Sequence, residues 1–79
     1  MDPRILEKII ELSSGNPGAV TIFAEIYKTY PLDFVQMLLD VLDKSTVRGP
    51  DIWVLWKNTS NKSYPVFIKN VLALDNNGN

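Results

Sequence analysis

The sequence lacks two residue types on which much of protein chemistry depends, because its 79 residues include no cysteine and no histidine. Without cysteine no disulfide can form, and small secreted domains usually depend on disulfides for stability. Without either residue, Ser-His-Asp triads, Cys-His pairs and the usual zinc sites cannot be assembled. We therefore expect a protein that is not an enzyme and that has no metal or cofactor.

Carboxylates do not supply a substitute. Asp33 and Asp40 are seven residues apart, or about 10.5 Å along a helix, which is too far for one metal ion or a close acid–base pair. Asp40 precedes Lys44 by four residues, so we expect these two to form an ion pair. The one glycine-rich turn, Gly15–Gly18, has neither the lysine nor the length of a phosphate-binding loop. We interpret it as a capped turn between two helices.

Long hydrophobic runs are also missing. No stretch approaches the roughly 18 apolar residues that a membrane span requires. The first seven residues, MDPRILE, contain neither the apolar run nor the small-residue cleavage site of a signal peptide. The expected location is the cytoplasm.

The sequence is rich in apolar residues, at 46%, and its prolines are regularly placed. Each of the five prolines precedes a run of apolar residues at helical spacing: Pro3, Pro17, Pro31, Pro50 and Pro65. Proline suits the first position of a helix, because its fixed φ is helical and its missing N–H would have no partner there. Asp2 and Asn16, before the first two prolines, are favourable N-caps. The prolines therefore indicate five helix starts.

We predict an all-α fold, a compact bundle of about five short helices that each start at a proline. It forms a single domain over residues 1–75, with a disordered tail at 76–79. The predicted helices cover residues 3–12, 17–29, 31–44, 50–57 and 65–74. The first is expected to bury five apolar residues: Ile5, Leu6, Ile9, Ile10 and Leu12. The third is apolar nearly all round, which is typical of a central helix.

Residues 51–57, DIWVLWK, are open to two interpretations. Their β-branched and aromatic residues would also suit a buried strand. However, the chain offers no second convincing strand, and an unpaired strand leaves its backbone groups without hydrogen-bond partners. Pro50 at the start and the helical spacing of Ile52, Leu55 and Trp56 favour a helix.

Charge is distributed unevenly along the chain. Residues 1–43 contain seven acidic and three basic residues, whereas residues 44–79 contain two acidic and five basic ones. Residues 38–58 also resemble a helix-turn-helix, whose second helix would expose Asp51, Val54, Lys57 and Asn58. Four bases would then contact phosphates: Lys44, Arg48, Lys57 and Lys62. A small nucleic-acid-binding protein is therefore one hypothesis, although Asp51 would repel the phosphates.

The other hypothesis depends on two tryptophans, Trp53 and Trp56, which lie three residues apart on one side of the predicted helix. We expect Trp56 in the core and Trp53 partly exposed, and an exposed indole often anchors a protein partner. The predicted contact surface consists of Arg48, Trp53 and Lys57. We favour this function, a small interaction module that binds a protein partner or a second copy of itself.

Two segments of the sequence are informative together: Ser14–Val20, which contains the turn GNPGA, and Val47–Lys57, which contains RGPDIW. With these segments the chain resembles small helical proteins encoded by bacteriophages and prophages, a family without an established activity. The resemblance covers about a quarter of the chain. It implies a viral or prophage setting and provides no catalytic residues.

Overall fold

The computed structural model describes residues 2–77. Over this range the chain forms five α-helices, one short 3₁₀ helix and no strand. The helices are α1 (Pro3–Ser13), α2 (Pro17–Thr29), α3 (Leu32–Lys44), α4 (Gly49–Lys57) and α5 (Tyr64–Asn77), and the 3₁₀ helix is Ser60–Lys62. The prediction of a small all-α bundle is confirmed. The ambiguous segment 51–57 lies within α4 and is helical.

Proline and an N-cap together begin the first two helices. The Asp2 side chain accepts a hydrogen bond from the backbone N–H of Arg4 at 2.8 Å, and Asn16 accepts one from Ala19 at 3.1 Å. In α3 the proline is the N-cap residue, directly before the first helical residue. In α4 and α5 the proline is the second residue of the helix. The N–H groups at the start of a helix have no acceptor within the helix. Proline at any of these positions therefore removes no hydrogen bond from the helix.

Among the side chains that the structure describes, fifteen apolar residues are buried in the core. They come from all five helices, and Phe23, Leu38, Ile52 and Phe67 are among those that are fully buried. Helix α3 packs against α1, α2 and α5, which agrees with its expected central place. Its outer side nevertheless faces solvent, since Leu32 and Met37 are 46% and 39% exposed.

The prediction for α1 was wrong at two residues. Leu6 and Ile10 were expected in the core but are 41% and 56% exposed. Helix α1 buries the side formed by Ile5, Ile9 and Leu12, and each residue turns about 100° around the helix. Leu6 and Ile10 therefore lie beyond the edge of that side.

The C-terminal helix is longer than expected. Helix α5 continues to Asn77, three residues past the predicted end at Leu74, so residues 76 and 77 of the expected disordered tail are helical. The rest of that tail, residues 78–79, lies outside the described residues. Of the described helices, none has the length and apolar character needed to cross a membrane.

Candidate interaction surface

Arg48, the first predicted contact residue, binds the end of α3. Its guanidinium donates hydrogen bonds to the backbone carbonyls of Leu42 at 3.0 Å and Ser45 at 3.2 Å, and to its neighbour Val47 at 2.9 Å. These carbonyls lie at or just beyond the C-terminus of α3, where carbonyl groups lack intrahelical partners. Arg48 therefore caps α3, and one nitrogen of its guanidinium makes all three of these hydrogen bonds within the chain.

Asp43 joins this cap to α1. Its carboxylate lies 3.1 Å from the Lys8 ammonium and 3.8 Å from the Arg48 guanidinium. The hydrogen bond from Lys8 to Asp43 raises the pKa of Lys8 above its ordinary value, more than partial desolvation lowers it. The three side chains thus connect α1, the end of α3 and the residue before α4.

Stability should fall as the pH rises above about 10, and Lys8 should account for part of this fall. Because the pKa of Lys8 is raised in the folded state, its ammonium stabilises the fold below the unfolded pKa, and the contribution is lost as the pH rises through the folded pKa. Burial also raises the pKa of Tyr64, so its ionisation opposes folding in the same range. Urea unfolding of wild type and Lys8→Met from about pH 8 to pH 11 tests this. The variant should be less stable at pH 8, and the difference should shrink at pH 11; parallel profiles would contradict the prediction.

Helix α4 begins in direct contact with the end of α1. A Cβ atom added to Gly49 would overlap the carbonyl oxygen of Ser13 and lie 2.7 Å from the Ser13 carbonyl carbon. It would also lie 3.1 Å from Cβ of Asn16. Only glycine allows this approach of two backbones.

Trp53 packs against the start of α2. A Cβ added to Gly18 would lie 2.6 Å from Cε3 and 2.8 Å from Cζ3 of the indole. Gly18 therefore provides the space that the ring occupies, and Trp53 is half-buried. Together with the Gly49 contact, this shows that the segments Ser14–Val20 and Val47–Lys57 pack against each other. The two motifs act as one structural unit.

The side chain of Trp56, a residue of α4, packs against α5. Its ring centroid is 4.6 Å from that of Tyr64 and 5.7 Å from that of the fully buried Phe67, which it meets edge to face. Like Trp53, it is half-buried. Trp53 is partly exposed as expected, whereas the prediction that Trp56 lies in the core was wrong, since Trp56 packs against the core without being fully buried.

The outward side of α4 agrees with the sequence prediction. Asp51, Val54, Lys57 and Asn58 are all exposed, and Val54 is 46% exposed. Lys57 is exposed, and its backbone carbonyl accepts a hydrogen bond from the Lys62 ammonium. We call the three neighbouring side chains Trp53, Val54 and Lys57 the α4 face.

The four bases of the nucleic-acid hypothesis are divided between the two ends of α4. Lys44 and Arg48 lie near its start, and Lys57 and Lys62 lie at its end, about 13 Å away for a nine-residue helix. The charge of Arg48 is partly balanced by Asp43. This distribution offers a weaker phosphate-binding surface than four adjacent bases would.

The exposure of several other apolar residues was not predicted from the sequence. Besides Leu6 and Ile10, they include Met37, which lies in an open groove between α3 and α5. A signal for Leu6 and Ile10 was present, because Ile5, Ile9 and Leu12 already complete a helical stripe. Within residues 2–77, no three acidic side chains are close enough to hold a metal ion. The expected ion pair between Asp40 and Lys44 is not formed in the same range.

The chain was compared with known proteins in three ways. Neither the models of protein families, nor the curated proteins, nor the solved structures gave a match.

Proposed function

We propose that this protein is an interaction module without catalytic activity, and that it binds a protein partner through the α4 face. The observation that supports the proposal is Trp53, whose indole is held against Gly18 while part of it remains in contact with solvent. Tryptophan is enriched among the residues that dominate protein–protein affinity, because its large ring buries much apolar surface. The exposed Val54 extends this apolar surface.

The α4 face is rigidly positioned. At its start, α4 is fixed by the Gly49 contact and by the Arg48 cap, and in its middle Ile52 is fully buried. Binding of a partner would therefore cost little free energy for ordering the α4 helix itself. Rigid placement of an aromatic residue favours a binding role over simple exposure.

Nucleic-acid binding is the alternative function. Four lysine and arginine residues in the second half of the chain support it, but Asp51 is exposed in the first turn of α4, where a recognition helix would approach phosphates. The Arg48 guanidinium also donates a hydrogen bond to the carbonyl of Leu42 in α3. For these reasons we favour a protein partner.

Two valines provide a matched test of the α4 face. Val54 and Val66 are 46% and 37% exposed on different helices, so Val54→Glu and Val66→Glu introduce the same charge without disturbing the core. The tagged full-length protein can be used to capture its partner from extracts of the source cells. The Val54→Glu variant should then recover about tenfold less partner than the wild-type protein does. Val66→Glu should recover it as wild type does.

The result could contradict the proposal in two ways. Equal recovery by Val54→Glu and wild type would remove the α4 face as the binding surface. Binding of a short random-sequence DNA duplex would instead support nucleic-acid binding, if the logarithm of the affinity falls linearly with the logarithm of the salt concentration.

A further inference from the structure

Helix α5 is joined to the rest of the chain by one short segment, residues 60–63, which we call the hinge. Residues 60–62 of this segment are exposed. Directly before it Thr59 is buried, and its hydroxyl donates a hydrogen bond to the Leu55 carbonyl at 2.8 Å. The connection between α4 and α5 is therefore fixed at Thr59 and surrounded by solvent beyond it.

The hinge has an unfavourable backbone conformation. Asn61 has a φ of 58° and a ψ of 15°, and Lys62 follows with a φ of 50°. Both residues lie in the left-handed region, where the Cβ atom of an L-residue crowds the following carbonyl oxygen. Asparagine tolerates this region, whereas lysine adopts it rarely. Two such residues in succession store strain that an extended hinge would release.

The left-handed turn after α1 is of a different kind. Ser14 and Gly15 have positive φ values there, but a left-handed residue commonly ends a helix, and glycine has no Cβ to crowd its neighbours. Helix α1 is also held by the ion pair of Lys8 with Asp43 and by the contact with Gly49. The strain is therefore greatest where α5 is attached.

The hydrogen bonds that keep the hinge closed are weak. The backbone N–H of Lys62 donates to Thr59, and that of Ser63 donates to Ser60, each at 3.3 Å, which is long for a bond of this type. The Lys62 ammonium donates to the exposed Lys57 carbonyl, where water can replace it. Opening the hinge therefore loses little hydrogen-bond energy.

Helix α5 itself is part of the core. It buries Phe67, Ile68 and Val71, and Trp56 of α4 packs against its Tyr64 and Phe67. A detached α5 would expose these apolar side chains to water, which is unfavourable. An open chain therefore needs its α5 site filled, and the α5 of a second copy carries the identical side chains.

Pro65 determines the form of the open hinge. If α4 and α5 joined into one helix, the ring of Pro65 would clash with the carbonyl of Asn61, four residues earlier. The hinge therefore opens into an extended segment rather than a helix. Four extended residues span up to about 14 Å, which is enough to move α5 away from its own core.

We propose that two copies of this chain exchange α5 about the hinge and form a swapped dimer. Each α5 occupies in the other copy the site that it fills in the monomer, so the contacts of Trp56 form again between the chains. The dimer needs no new apolar surface, because its interface is the one already inside the monomer. It is favoured by the release of strain at two hinges, and it does not depend on the α4 face.

Sedimentation of the refolded full-length chain tests this exchange with variants of the hinge. Proline cannot adopt the φ of 58° at position 61, so Asn61→Pro should be mainly dimeric, with the circular dichroism of wild type. Glycine adopts the left-handed region freely, so Lys62→Gly should raise the dissociation constant about fivefold per chain and about 25-fold for the dimer. Lys62→Met, which also lacks the ammonium but keeps the strain, should dimerise at least as well as wild type.

A matched control changes a left-handed residue outside the hinge. Ser14→Gly should leave the dissociation constant as it is in wild type. Because α5 must leave the core before swapped chains separate, exchange of subunits between labelled dimers should be as slow as unfolding, and the tryptophan emission of the dimer should match that of the monomer.

Three results would overturn the proposal. They are a wild-type chain that stays monomeric at the highest concentrations, a monomeric Asn61→Pro variant, and equal dissociation constants for Lys62→Gly and wild type. A dimer that Val54→Glu dissociates would also overturn it, since that dimer would use the α4 face and not the exchange of α5.

Discussion

Replacing Gly49 with alanine is expected to destabilise the protein by about 3–5 kcal/mol, the range of the most damaging single substitutions. The new Cβ would overlap the Ser13 carbonyl oxygen at the contact between α1 and α4. This atom belongs to the backbone of α1, so it cannot move aside as a flexible side chain would. Since small domains are stable by only about 5–15 kcal/mol, this loss is a large share of the total free energy of unfolding.

Gly15 provides the matched control for this substitution. It has a positive φ of 79°, but a Cβ there would meet nothing within 4 Å. Gly15→Ala should therefore cost only about 1 kcal/mol, from the backbone conformation alone. Urea unfolding followed by circular dichroism gives both values. If Gly49→Ala were no less stable than Gly15→Ala, the close approach of α1 and α4 would be wrong.

The effect of alanine at Gly18 should depend on what occupies position 53. With Trp53 in place, the new Cβ lies 2.6 Å from the indole, and we expect a loss of about 1–3 kcal/mol from overpacking. With Trp53→Leu the ring is absent, and the same change should be close to neutral.

A double-mutant cycle measures this dependence. The four proteins are wild type, Gly18→Ala, Trp53→Leu and the double variant, each unfolded in urea, and the coupling should exceed about 1 kcal/mol. Tryptophan fluorescence of Gly18→Ala should also change, because the indole moves into solvent. Additive effects of the two substitutions would show that Trp53 does not pack on Gly18.

Local sequence signals predicted most of the fold. Asp2 and Asn16 lie before prolines and cap their helices as expected, because a cap involves only residues two or three positions apart. The helical state of segment 51–57 followed from the lack of a partner strand. In contrast, the burial of Leu6 and Ile10 depends on which side of α1 its neighbours cover. Spacing alone does not determine that.

The candidate surface was predicted only in part. The outward residues of α4 followed from helical periodicity, and Val54 and Lys57 are exposed as expected. The role of Arg48 could not be foreseen, because it depends on how the chain turns between α3 and α4 and brings the guanidinium to the carbonyl of Leu42.

The contact between Ser13 and Gly49 also matters for folding kinetics, because it closes a loop between two residues that are 36 positions apart in the sequence. The short turns within this loop can form early, whereas the closure itself orders a long stretch of chain and should come late in folding. Because Ser13 and Gly49 are both buried, opening this junction separates α1 from α4 and should occur only in large fluctuations of the native state. A ligand on the α4 face would hold it shut, so occupancy of that surface and resistance to local opening should rise together.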